Sequence, residues 1–375
     1  MKYSSLYRAI RSALATVISL AILLSLSHPA RALSETPSLS AKSALLMDAS
    51  DRSVLFEKNA RQRLGMASTT KIMTALLVAE RLPPDRTVTV TAEAVNVEGS
   101  SVYLTEGERL TVEQLLCALL LASANDAATA LAIAVSGSVD SFAEAMNQRA
   151  SELGLKDTHF VNPHGLSHED HYTTAYDLAI LSSVALKNPT VSRIAALTAA
   201  KIPQGITADT PEAATSRHLY NHNKMLRLYD GAIGLKTGYT TATGRCLVSA
   251  AHRDGLTLIA VTLDAPDDWR DHTAMLDHGF SLYRRVTLYE AGEFSCQYPV
   301  TGGVEGYVVL VNAKAITMTL PREELREEYI VTSHQRFEFA PIRAGDSLAT
   351  LTVSLRDRSA SSPLIAAYGV ERTKK

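Results

Sequence analysis

The stretch Ser68-Thr69-Thr70-Lys71-Ile72-Met73-Thr74-Ala75-Leu76-Leu77-Val78 sets two reactive polar side chains at the start of a long apolar run. Neither glycine nor proline interrupts the pattern between Ser68 and Leu82, which predicts a buried helix. Residues three apart are neighbours on a helix, so the Lys71 amine should lie beside the Ser68 hydroxyl. A hydroxyl is a poor nucleophile until a base takes its proton. The stretch therefore predicts a serine nucleophile that uses a lysine as its base.

Two further strings follow at long intervals. Ser123-Ala124-Asn125 begins 55 residues after Ser68, and Lys236-Thr237-Gly238 begins 113 residues after Ser123. A single Ser-x-x-Lys is a weak signal, because it arises by chance about once or twice in a chain of this length. Three strings in this order and at this spacing are a strong signal, because the second and third strings supply partners for the base and groups that can bind a substrate.

The second string supplies partners for the nucleophile and its base. Lys71 must be neutral to act as a base, whereas a lysine in water titrates at about 10.4. Burial and the nearby Lys236 cation must therefore lower its pKa. Ser123 can relay the proton to the leaving group, and Asn125 can hold Lys71 and a substrate amide through its two-ended side chain.

The Lys-Thr-Gly string predicts the binding of a substrate carboxylate. Lys236 provides a cation and Thr237 a hydroxyl, and Gly238 is expected to let the substrate lie against the backbone. The N–H groups of Ser68 and Tyr239 are the expected oxyanion donors. Catalysis is thus assigned to Ser68, Lys71 and Ser123, and substrate binding to Asn125, Lys236, Thr237, Gly238 and Tyr239.

The order of predicted elements is that of an α+β fold. Apolar runs on both sides of Ala49-Ser50-Asp51-Arg52 predict a β-hairpin, and Thr111 with Gln114 predicts a capping box at the start of a helix. Helices first and strands later predict an antiparallel sheet with helices packed on it. The expected helices are 68–82, 111 to near 123, 127–135, 138–153, 174–186 and 269–283, and the expected strands are 233–239, 246–251 and 256–263.

The two ends of the chain differ from the region between them. Basic residues precede an apolar run from Ala13 to Leu26, and Ala30-Arg31-Ala32 has the small residues of a signal-peptidase site, so residues 1–32 are predicted to be a cleaved export signal. An uncleaved N-terminal anchor is the alternative, although the run is shorter than the roughly 20 residues that span a bilayer. Residues 33–286 are assigned to the catalytic domain and 287–375 to a small all-β domain, with short runs rich in β-branched residues at 307–311, 316–320, 329–333, 348–355 and 364–370.

Charge and composition argue against some classes of protein. The chain has 37 basic and 39 acidic residues, and removal of residues 1–32 leaves 33 against 39, a net charge of −6. This mildly acidic balance argues against nucleic acid as a partner. The three cysteines, Cys117, Cys246 and Cys296, are widely spaced and odd in number, which predicts no disulfide framework, and the first two should be buried.

A cluster of histidines and acids raises the question of a metal site. The segment contains a glycine and lacks the spacing of histidine ligands on a helix. The serine chemistry needs no metal, so we expect a polar loop beside the cleft and no cofactor. The cluster comprises His164, His168, Glu169, Asp170 and His171.

The three strings and four longer stretches resemble one family. The stretches are Phe160-Val161-Asn162-Pro163-His164-Gly165-Leu166, His171-Tyr172-Thr173-Thr174-Ala175-Tyr176-Asp177-Leu178, Asn221-His222-Asn223-Lys224 and Gly234-Leu235-Lys236-Thr237-Gly238-Tyr239-Thr240. Together they resemble the low-molecular-mass penicillin-binding proteins, the serine-type D-alanyl-D-alanine carboxypeptidases, over nearly all of the chain after the export signal. The resemblance implies a penicillin-binding, β-lactamase-like transpeptidase domain followed by a small β domain.

The resemblance also implies a reaction and a place. Members remove the terminal D-alanine from peptidoglycan pentapeptide stems, so the expected partner is a stem peptide that ends in D-Ala-D-Ala. Penicillins acylate these enzymes, and β-lactams are therefore expected as covalent inhibitors. The protein should be exported and should act in the cell envelope or as a secreted enzyme. Many relatives end in an amphipathic or transmembrane anchor that is not seen here, which leaves membrane attachment open.

Two alternatives stay open at this point. A class A β-lactamase uses the same strings but deacylates with a glutamate on the loop after Ser-x-Asn, and the corresponding stretch, Thr158 to Leu166, contains none. A catalytically silent cell-wall-binding protein would carry the strings as remnants, which their intactness disfavours. Some relatives hold the substrate carboxylate with an arginine near the helix after the sheet. Arg270, near the start of the predicted helix 269–283, is not assigned to the site.

Overall fold

The computed structural model describes residues 36–212, 215–323, 330–333, 337–355 and 358–374. The predicted export signal, residues 1–32, lies outside them. The strands are β1 (Ser43–Asp48), β2 (Val54–Lys58), β3 (Thr87–Thr89), β4 (Arg109–Thr111), β5 (Ala199–Gln204), β6 (Thr215–Tyr220), β7 (Ala232–Thr240), β8 (Gly244–Arg253), β9 (Leu256–Leu263), β10 (Tyr283–Tyr289), β11 (Ser295–Thr301), β12 (Tyr307–Asn312), β13 (Ile316–Pro321), β14 (Ile330–Ser333), β15 (Glu338–Phe339), β16 (Ser347–Leu355) and β17 (Arg358–Ala366). The α-helices are α1 (Lys71–Arg81), α2 (Val112–Leu121), α3 (Asn125–Ser136), α4 (Val139–Glu152), α5 (Ala175–Ala185), α6 (Pro189–Ala195), α7 (Met225–Leu228) and α8 (Asp268–Leu282).

A five-stranded antiparallel sheet, in the order β2-β1-β9-β8-β7, forms the centre of the larger domain. Every residue of β1 is buried, and so is every residue of β9 except one, because both faces of the sheet are covered. The predicted hairpin and the three predicted later strands are thus confirmed. β7 is an edge strand, so the backbone groups on its outer side are not used by the sheet.

Helices cover both faces of this sheet. On one face Leu46 and Leu258 pack in a core with Met275 of α8. On the other face Leu45 and Ile259 belong to a larger core formed mainly by α1 to α6. All side chains of α1 from the first residue to Val78 are buried, so this helix runs through the middle of the larger core. The arrangement confirms the α+β prediction of helices on an antiparallel sheet.

The predicted helix that starts at Ser68 begins differently from the expectation. Residues Ala67–Thr70 form a 3₁₀ turn, and the α-helix itself starts at Lys71. The hydroxyls of Thr69 and Thr70 donate to the carbonyls of Met66 and Ala67, at 2.6 and 2.7 Å. Such local side-chain bonds compete with the α-helical pattern and keep this turn tight. We call Ala67–Thr70 the nucleophile turn.

Other helix ends follow the sequence signals closely. Thr111 and Gln114 form the predicted capping box, with the Gln114 N–H donating to Thr111 Oγ1 at 3.2 Å and the Thr111 N–H donating to Gln114 Oε1 at 2.8 Å. Ser138 and Thr174 cap α4 and α5 through their hydroxyls. These caps fix the N-terminal ends of α2, α4 and α5.

A separate sheet-rich domain with its own core follows α8. Its six-stranded sheet has the order β14-β16-β17-β12-β11-β15, and β10 pairs with β13. The strand expected at 364–370 was misplaced, because β17 occupies Arg358–Ala366. Its first half contains exposed Ser359 and Ser361, so the apolar pattern in the sequence indicates only its second half.

The two domains meet at the turn between β1 and β2. Arg285, in β10, donates from Nη1 to Asp51 Oδ2 at 2.9 Å and to Asp48 Oδ2 at 3.4 Å, and the Thr319 hydroxyl also donates to Asp48. β10 itself spans the expected domain limit between residues 286 and 287. The limits 33–286 and 287–375 stay a prediction.

Candidate active site

Ser68 and Lys71 lie side by side at the start of α1. Lys71 Nζ is 2.9 Å from Ser68 Oγ, 2.7 Å from Asn125 Oδ1 and 2.6 Å from the carbonyl oxygen of His164. The Lys71 side chain is fully buried, whereas Ser68 is partly exposed. The structure therefore brings together the nucleophile and the base that the first string predicted.

A loop of residues 162–171 passes directly over the nucleophile turn. Gly165 has a φ of +90°, and a Cβ built on it would lie 1.9 Å from the carbonyl oxygen of Ala67. Only glycine permits this backbone and this approach. The close approach brings the His164 carbonyl to Lys71, a contact that the sequence did not reveal.

The Ser123-Ala124-Asn125 string lies where α2 ends and α3 begins. Ser123 has a φ of 60°, is only 5% exposed and lines the cleft, and its hydroxyl makes no hydrogen bond to another residue in the described ranges. Asn125 begins α3, and its Nδ2 donates to the carbonyl of Glu98 at 2.5 Å while Oδ1 faces Lys71. The second N–H of the Asn125 amide has no partner among the described residues.

The Lys-Thr-Gly string lies on the edge strand β7, against the nucleophile turn. Lys236 is buried, and its Nζ donates to the carbonyl of Thr237 at 2.9 Å and lies 3.4 Å from Thr237 Oγ1. A Cβ built on Gly238 would lie 3.0 Å from the backbone nitrogen of Ser68 and 3.1 Å from Ala67 Cβ. The missing side chain of Gly238 therefore makes room for the nucleophile turn, a reason for this glycine that the sequence analysis did not give. Its expected contact with substrate stays a prediction.

Burial lowers the pKa of both active-site lysines. For Lys71 burial is the largest cause, the charge of Lys236 lowers the pKa further, and Asp126 opposes the shift. Burial lowers the pKa of Lys236 to about 7. These are the two causes that the sequence analysis required, and both favour the neutral form of Lys71.

A cleft of about 540 Å³ opens over Ser68. Its walls include Ser123, Thr237, Gly238 and Tyr239, which the sequence predicted, and the Tyr239 side chain is 64% exposed there. The cleft is also lined by residues that the sequence analysis did not assign, namely Ser100, Tyr220, Asn221, His222, Lys224, Arg227, Arg245, Asp268 and Trp269.

Arg245, the second residue of β8, is an arginine at the cleft that the sequence analysis missed. Its Nη2 lies 3.0 Å from Asp268 Oδ1, and its guanidinium lies 5.7 Å from the centre of the Trp269 ring. Arg270 has a side chain that is 81% exposed, pairs with Asp267 at 4.0 Å and does not line the cleft. A basic residue at the start of a strand carries no sequence signal that would have identified it.

The histidine-rich loop forms a structural support beside the nucleophile turn. The N–H of Val161 donates to His171 Nδ1 at 3.0 Å, so Nε2 carries the ring proton and donates to Thr70 Oγ1 at 2.8 Å. Burial lowers the pKa of His171 to about 4, which keeps the ring neutral. Within the described ranges no group of three or more His, Cys, Asp or Glu residues is placed to hold a metal ion.

Comparison with known proteins identifies the family. The sequence model of the D-alanyl-D-alanine carboxypeptidase family matches residues 30–267. The D-alanyl-D-alanine carboxypeptidase DacF of Bacillus subtilis is 34% identical over 324 residues, which cover 84% of this chain and 81% of DacF. The carboxypeptidase DacC of Escherichia coli is 31% identical over 358 residues, which cover 90% of this chain and 86% of DacC.

Solved structures agree with this assignment. Penicillin binding protein 5 from Haemophilus influenzae superposes with a TM-score of 0.73 at 25% identity, over 90% of this chain and 99% of that one. A peptidoglycan synthesis regulatory factor (PBP3) from Streptococcus pneumoniae superposes with a TM-score of 0.77 at 26% identity, over 89% of this chain and 100% of that one. The fold and the serine–lysine site define a penicillin-binding serine peptidase. The chain belongs to the D-alanyl-D-alanine carboxypeptidase family and is a serine-type hydrolase of that family.

Proposed function

We propose that this enzyme removes the C-terminal D-alanine from peptidoglycan stem peptides through an ester on Ser68. The observation that carries the proposal is the set of three contacts around Lys71 Nζ. Asn125 Oδ1 and the His164 carbonyl can only accept hydrogen bonds, so they take the two N–H bonds of a neutral amine. The lone pair of that amine then points at the third contact, the Ser68 hydroxyl, and can take its proton.

Acylation uses the edge strand β7 beside Ser68. The substrate lies along β7, where its scissile carbonyl oxygen receives hydrogen bonds from the N–H groups of Ser68 and Tyr239. Gly238 supports this arrangement because it lets the strand approach the nitrogen of Ser68. The terminal carboxylate binds Lys236 and Thr237, and Arg245 in the same cleft adds a second cation.

The reaction proceeds in two balanced steps. Ser68 Oγ bonds to the carbonyl carbon of the penultimate D-alanine while its proton moves to Lys71. The C–N bond then breaks, and the departing D-alanine nitrogen receives this proton from Lys71 by way of the Ser123 hydroxyl, which lines the cleft, so that Lys71 is neutral again. Water subsequently hydrolyses the Ser68 ester. A β-lactam forms the same ester, but its ring-opened fragment stays attached.

The proposal is tested at the nucleophile. Ser68→Ala should abolish D-alanine release from a D-Ala-D-Ala peptide and covalent labelling by a fluorescent penicillin, because no other hydroxyl is within hydrogen-bond distance of Lys71 Nζ in the described ranges. Ser359→Ala, an exposed serine of β17, is the matched control and should label like wild type. Labelling that persists in folded Ser68→Ala would refute the assignment.

The rate of deacylation separates the proposed activity from that of a β-lactamase. Within the described ranges no carboxylate hydrogen-bonds to Ser68 or Lys71, so no group of the kind that activates water in class A β-lactamases is placed there. The penicillin ester should therefore outlast the peptide ester by at least about two decades in rate, or about 3 kcal/mol in barrier. Intact-protein mass recorded against time after mixing with penicillin measures this. Rapid return to the unmodified mass with continued drug hydrolysis would support the β-lactamase alternative.

Export and place in the cell are part of the same proposal. The family consists of enzymes that act on the cell wall, which agrees with a position outside the cytoplasm. In the described residues no helix is long and apolar enough to cross a membrane. The expected mature N-terminus is near Leu33, and N-terminal sequencing of the protein from its native host tests it. A protein that still begins at Met1 would contradict cleavage.

A further inference from the structure

Arg245 lies on the same face of the sheet as Thr237. The antiparallel register of β7 and β8 places Arg245 opposite Tyr239 and Leu247 opposite Thr237. Residues that lie opposite each other share a face, and so do residues two apart on one strand. Thr237, Tyr239 and Arg245 therefore line the cleft together. Arg245 is the diagonal neighbour of Thr237, so a carboxylate at the Thr237 hydroxyl is within reach of the long Arg245 side chain.

Asp268, the first residue of α8, contacts the guanidinium of Arg245. Asp268 Oδ1 lies 3.0 Å from Arg245 Nη2 and also accepts the Trp269 N–H at 3.0 Å. The Asp268 side chain is 3% exposed, whereas that of Arg245 is 41% exposed. Nε and Nη1 of Arg245 have no acceptor among the residues that the structure describes. One side of the arginine is therefore held by the protein, and its other N–H groups are free for a ligand.

Two further contacts restrain Arg245. Its guanidinium carbon lies 5.7 Å from the centre of the Trp269 ring, within the distance of a cation–π contact. The N–H of Ala265, three residues before Asp268, donates to the main-chain carbonyl of Arg245 at 2.9 Å. The segment that leads into α8 therefore holds both the main chain and the side chain of this arginine.

The first turn of α8 is fixed from its other side by the segment that precedes β1. The Asp271 carboxylate accepts the N–H groups of Ser40 and Ala41, at 3.0 and 2.8 Å, and the Ser40 hydroxyl at 2.8 Å. The oxygen of that hydroxyl accepts the Asp267 N–H at 3.0 Å. Asp268 thus belongs to a helix start that is anchored on both sides, and such an element can hold a binding group in place.

We infer that Asp268 is a positioning residue, which holds Arg245 so that the free N–H groups of the arginine meet the terminal carboxylate of the substrate. The inference rests on the proposed function, since it needs that carboxylate to bind at Thr237. An arginine that moves freely loses rotamer freedom when it binds a ligand, and an arginine that is already held loses less. Removal of the Asp268 charge should therefore weaken the preference for a free carboxylate, although Asp268 itself does not touch the substrate.

Two peptides that differ only at the C-terminus test the inference. One ends in D-Ala-D-Ala with a free carboxylate, and the other carries a C-terminal amide. The measured quantity is the ratio of their kcat/KM values for release of the terminal residue. Asp268→Asn keeps an acceptor for the Trp269 N–H but not the charge, and it should lower the ratio about two- to fivefold, the range of a partly exposed ion pair. Arg245→Ala should lower the ratio at least as far, and Asp268→Asn added to Arg245→Ala should change it no further, because Asp268 acts through the arginine.

Asp267→Asn is the matched control. The Asp267 side chain is 54% exposed and pairs with Arg270 at 4.0 Å, outside the cleft. The variant removes the same charge one residue away and should keep the wild-type ratio. Asp268→Ser, whose hydroxyl can also accept an N–H at the start of a helix, is the second variant in case Asp268→Asn does not fold, and it should show the same loss.

The outcomes separate this inference from the proposed function. A wild-type enzyme that releases D-alanine from neither peptide refutes the proposed function. A folded Asp268→Asn or Asp268→Ser enzyme with the wild-type ratio refutes the positioning role and leaves the proposed function standing. A ratio that rises would show that Asp268 competes with the substrate for Arg245, which also refutes that role. An equal loss in Asp267→Asn, or a further loss in the double variant, would show that the effect does not pass through Arg245.

Discussion

Two pairs of buried charged residues differ sharply in what surrounds them. Lys71 and Lys236 are 0% and 1% exposed, carry the same sign, and contact no carboxylate in the described ranges. Glu108 and Arg217 are 0% and 8% exposed, carry opposite signs, and pair through two hydrogen bonds of 2.5 and 2.9 Å. The pairs differ in charge compensation and not in burial.

The Glu108–Arg217 pair is held by a complete set of partners. The N–H groups of Gly205 and Thr105 donate to the Glu108 carboxylate at 3.0 and 3.1 Å. Burial alone would raise the pKa of Glu108, but Arg217 and these N–H groups outweigh it and lower the pKa. Arg217 also donates to the carbonyl of Val102, so the pair ties β6 to the segment around Val102.

The comparison shows how to distinguish a structural charge from a reactive one. Where partners compensate the charge, the ionised form is the stable form and the pair holds the chain together. Where no opposite charge compensates a buried lysine, burial stabilises its neutral form, and the neutral lysine can act as a base. Four variants test this distinction.

Lys71→Met should have the largest effect on reactivity. Acylation by penicillin should slow by about 10²- to 10⁴-fold, the usual contribution of a general base, because no other amine contacts Ser68 in the described ranges. The acylation rate is measured by intact-protein mass. Lys201→Met, at an exposed lysine of β5, is the control and should acylate at the wild-type rate. An acylation rate of Lys71→Met within tenfold of the wild-type rate would contradict the role of Lys71 as the base.

Glu108→Gln should have the largest effect on stability. It leaves Arg217 buried without its carboxylate, which costs about 3–5 kcal/mol in the free energy of unfolding. The folded pKa of Glu108 is lowered, so this contribution is present above the unfolded pKa of about 4.5 and is lost as the pH falls through the folded pKa. Urea unfolding at pH 7 and pH 4 measures both effects. A loss below about 1 kcal/mol at pH 7 would show that the pair is dispensable.

Lys236→Ala should weaken catalysis by a smaller amount. A charge-assisted contact to the substrate carboxylate contributes about 1.5–3 kcal/mol, or one to two decades in kcat/KM. Amidation of the peptide C-terminus should reproduce the loss in wild type and add nothing in Lys236→Ala. Equal cleavage of acid and amide peptides by wild type would remove Lys236 from carboxylate binding.

Lys236→Met should stabilise the fold, with the smallest effect of the four. The folded pKa of Lys236, about 7, lies below that of the unfolded chain, about 10.4, so the wild-type protein gains stability as the pH rises between these values. The free energy of unfolding of the variant should therefore exceed that of wild type by at least about 1 kcal/mol at pH 6 and by less at pH 9. Thermal unfolding at the two pH values measures the difference. An advantage that grows with pH would contradict the direction of the shift.

Much of the site was predictable because its chemistry is local in sequence. Ser68 and Lys71 are one helical turn apart, and Lys236, Thr237 and Gly238 are consecutive on one strand. Residues this close in sequence lie near each other whichever tertiary fold the chain adopts. The predicted members lie together in the structure, and the roles given to them stay proposals.

The parts that were missed depend on atoms or contacts that sequence does not mark. Every residue has a carbonyl, so nothing in the chain distinguished that of His164. Arg245 reaches the cleft only because β8 pairs with β7. The hairpin of β5 and β6 was missed because Pro203 interrupts its first strand and its faces are largely polar.

The contact between Lys71 and the His164 carbonyl has a consequence for how the gene can change. Point mutation replaces side chains, and a carbonyl belongs to the main chain, so no substitution at 164 deletes the acceptor itself. Position 165 is different, since even the one methyl group of alanine would collide with Ala67. A single codon change at 165 can therefore disturb the base from a distance, whereas a change of the side chain at 164 leaves the carbonyl acceptor itself in place.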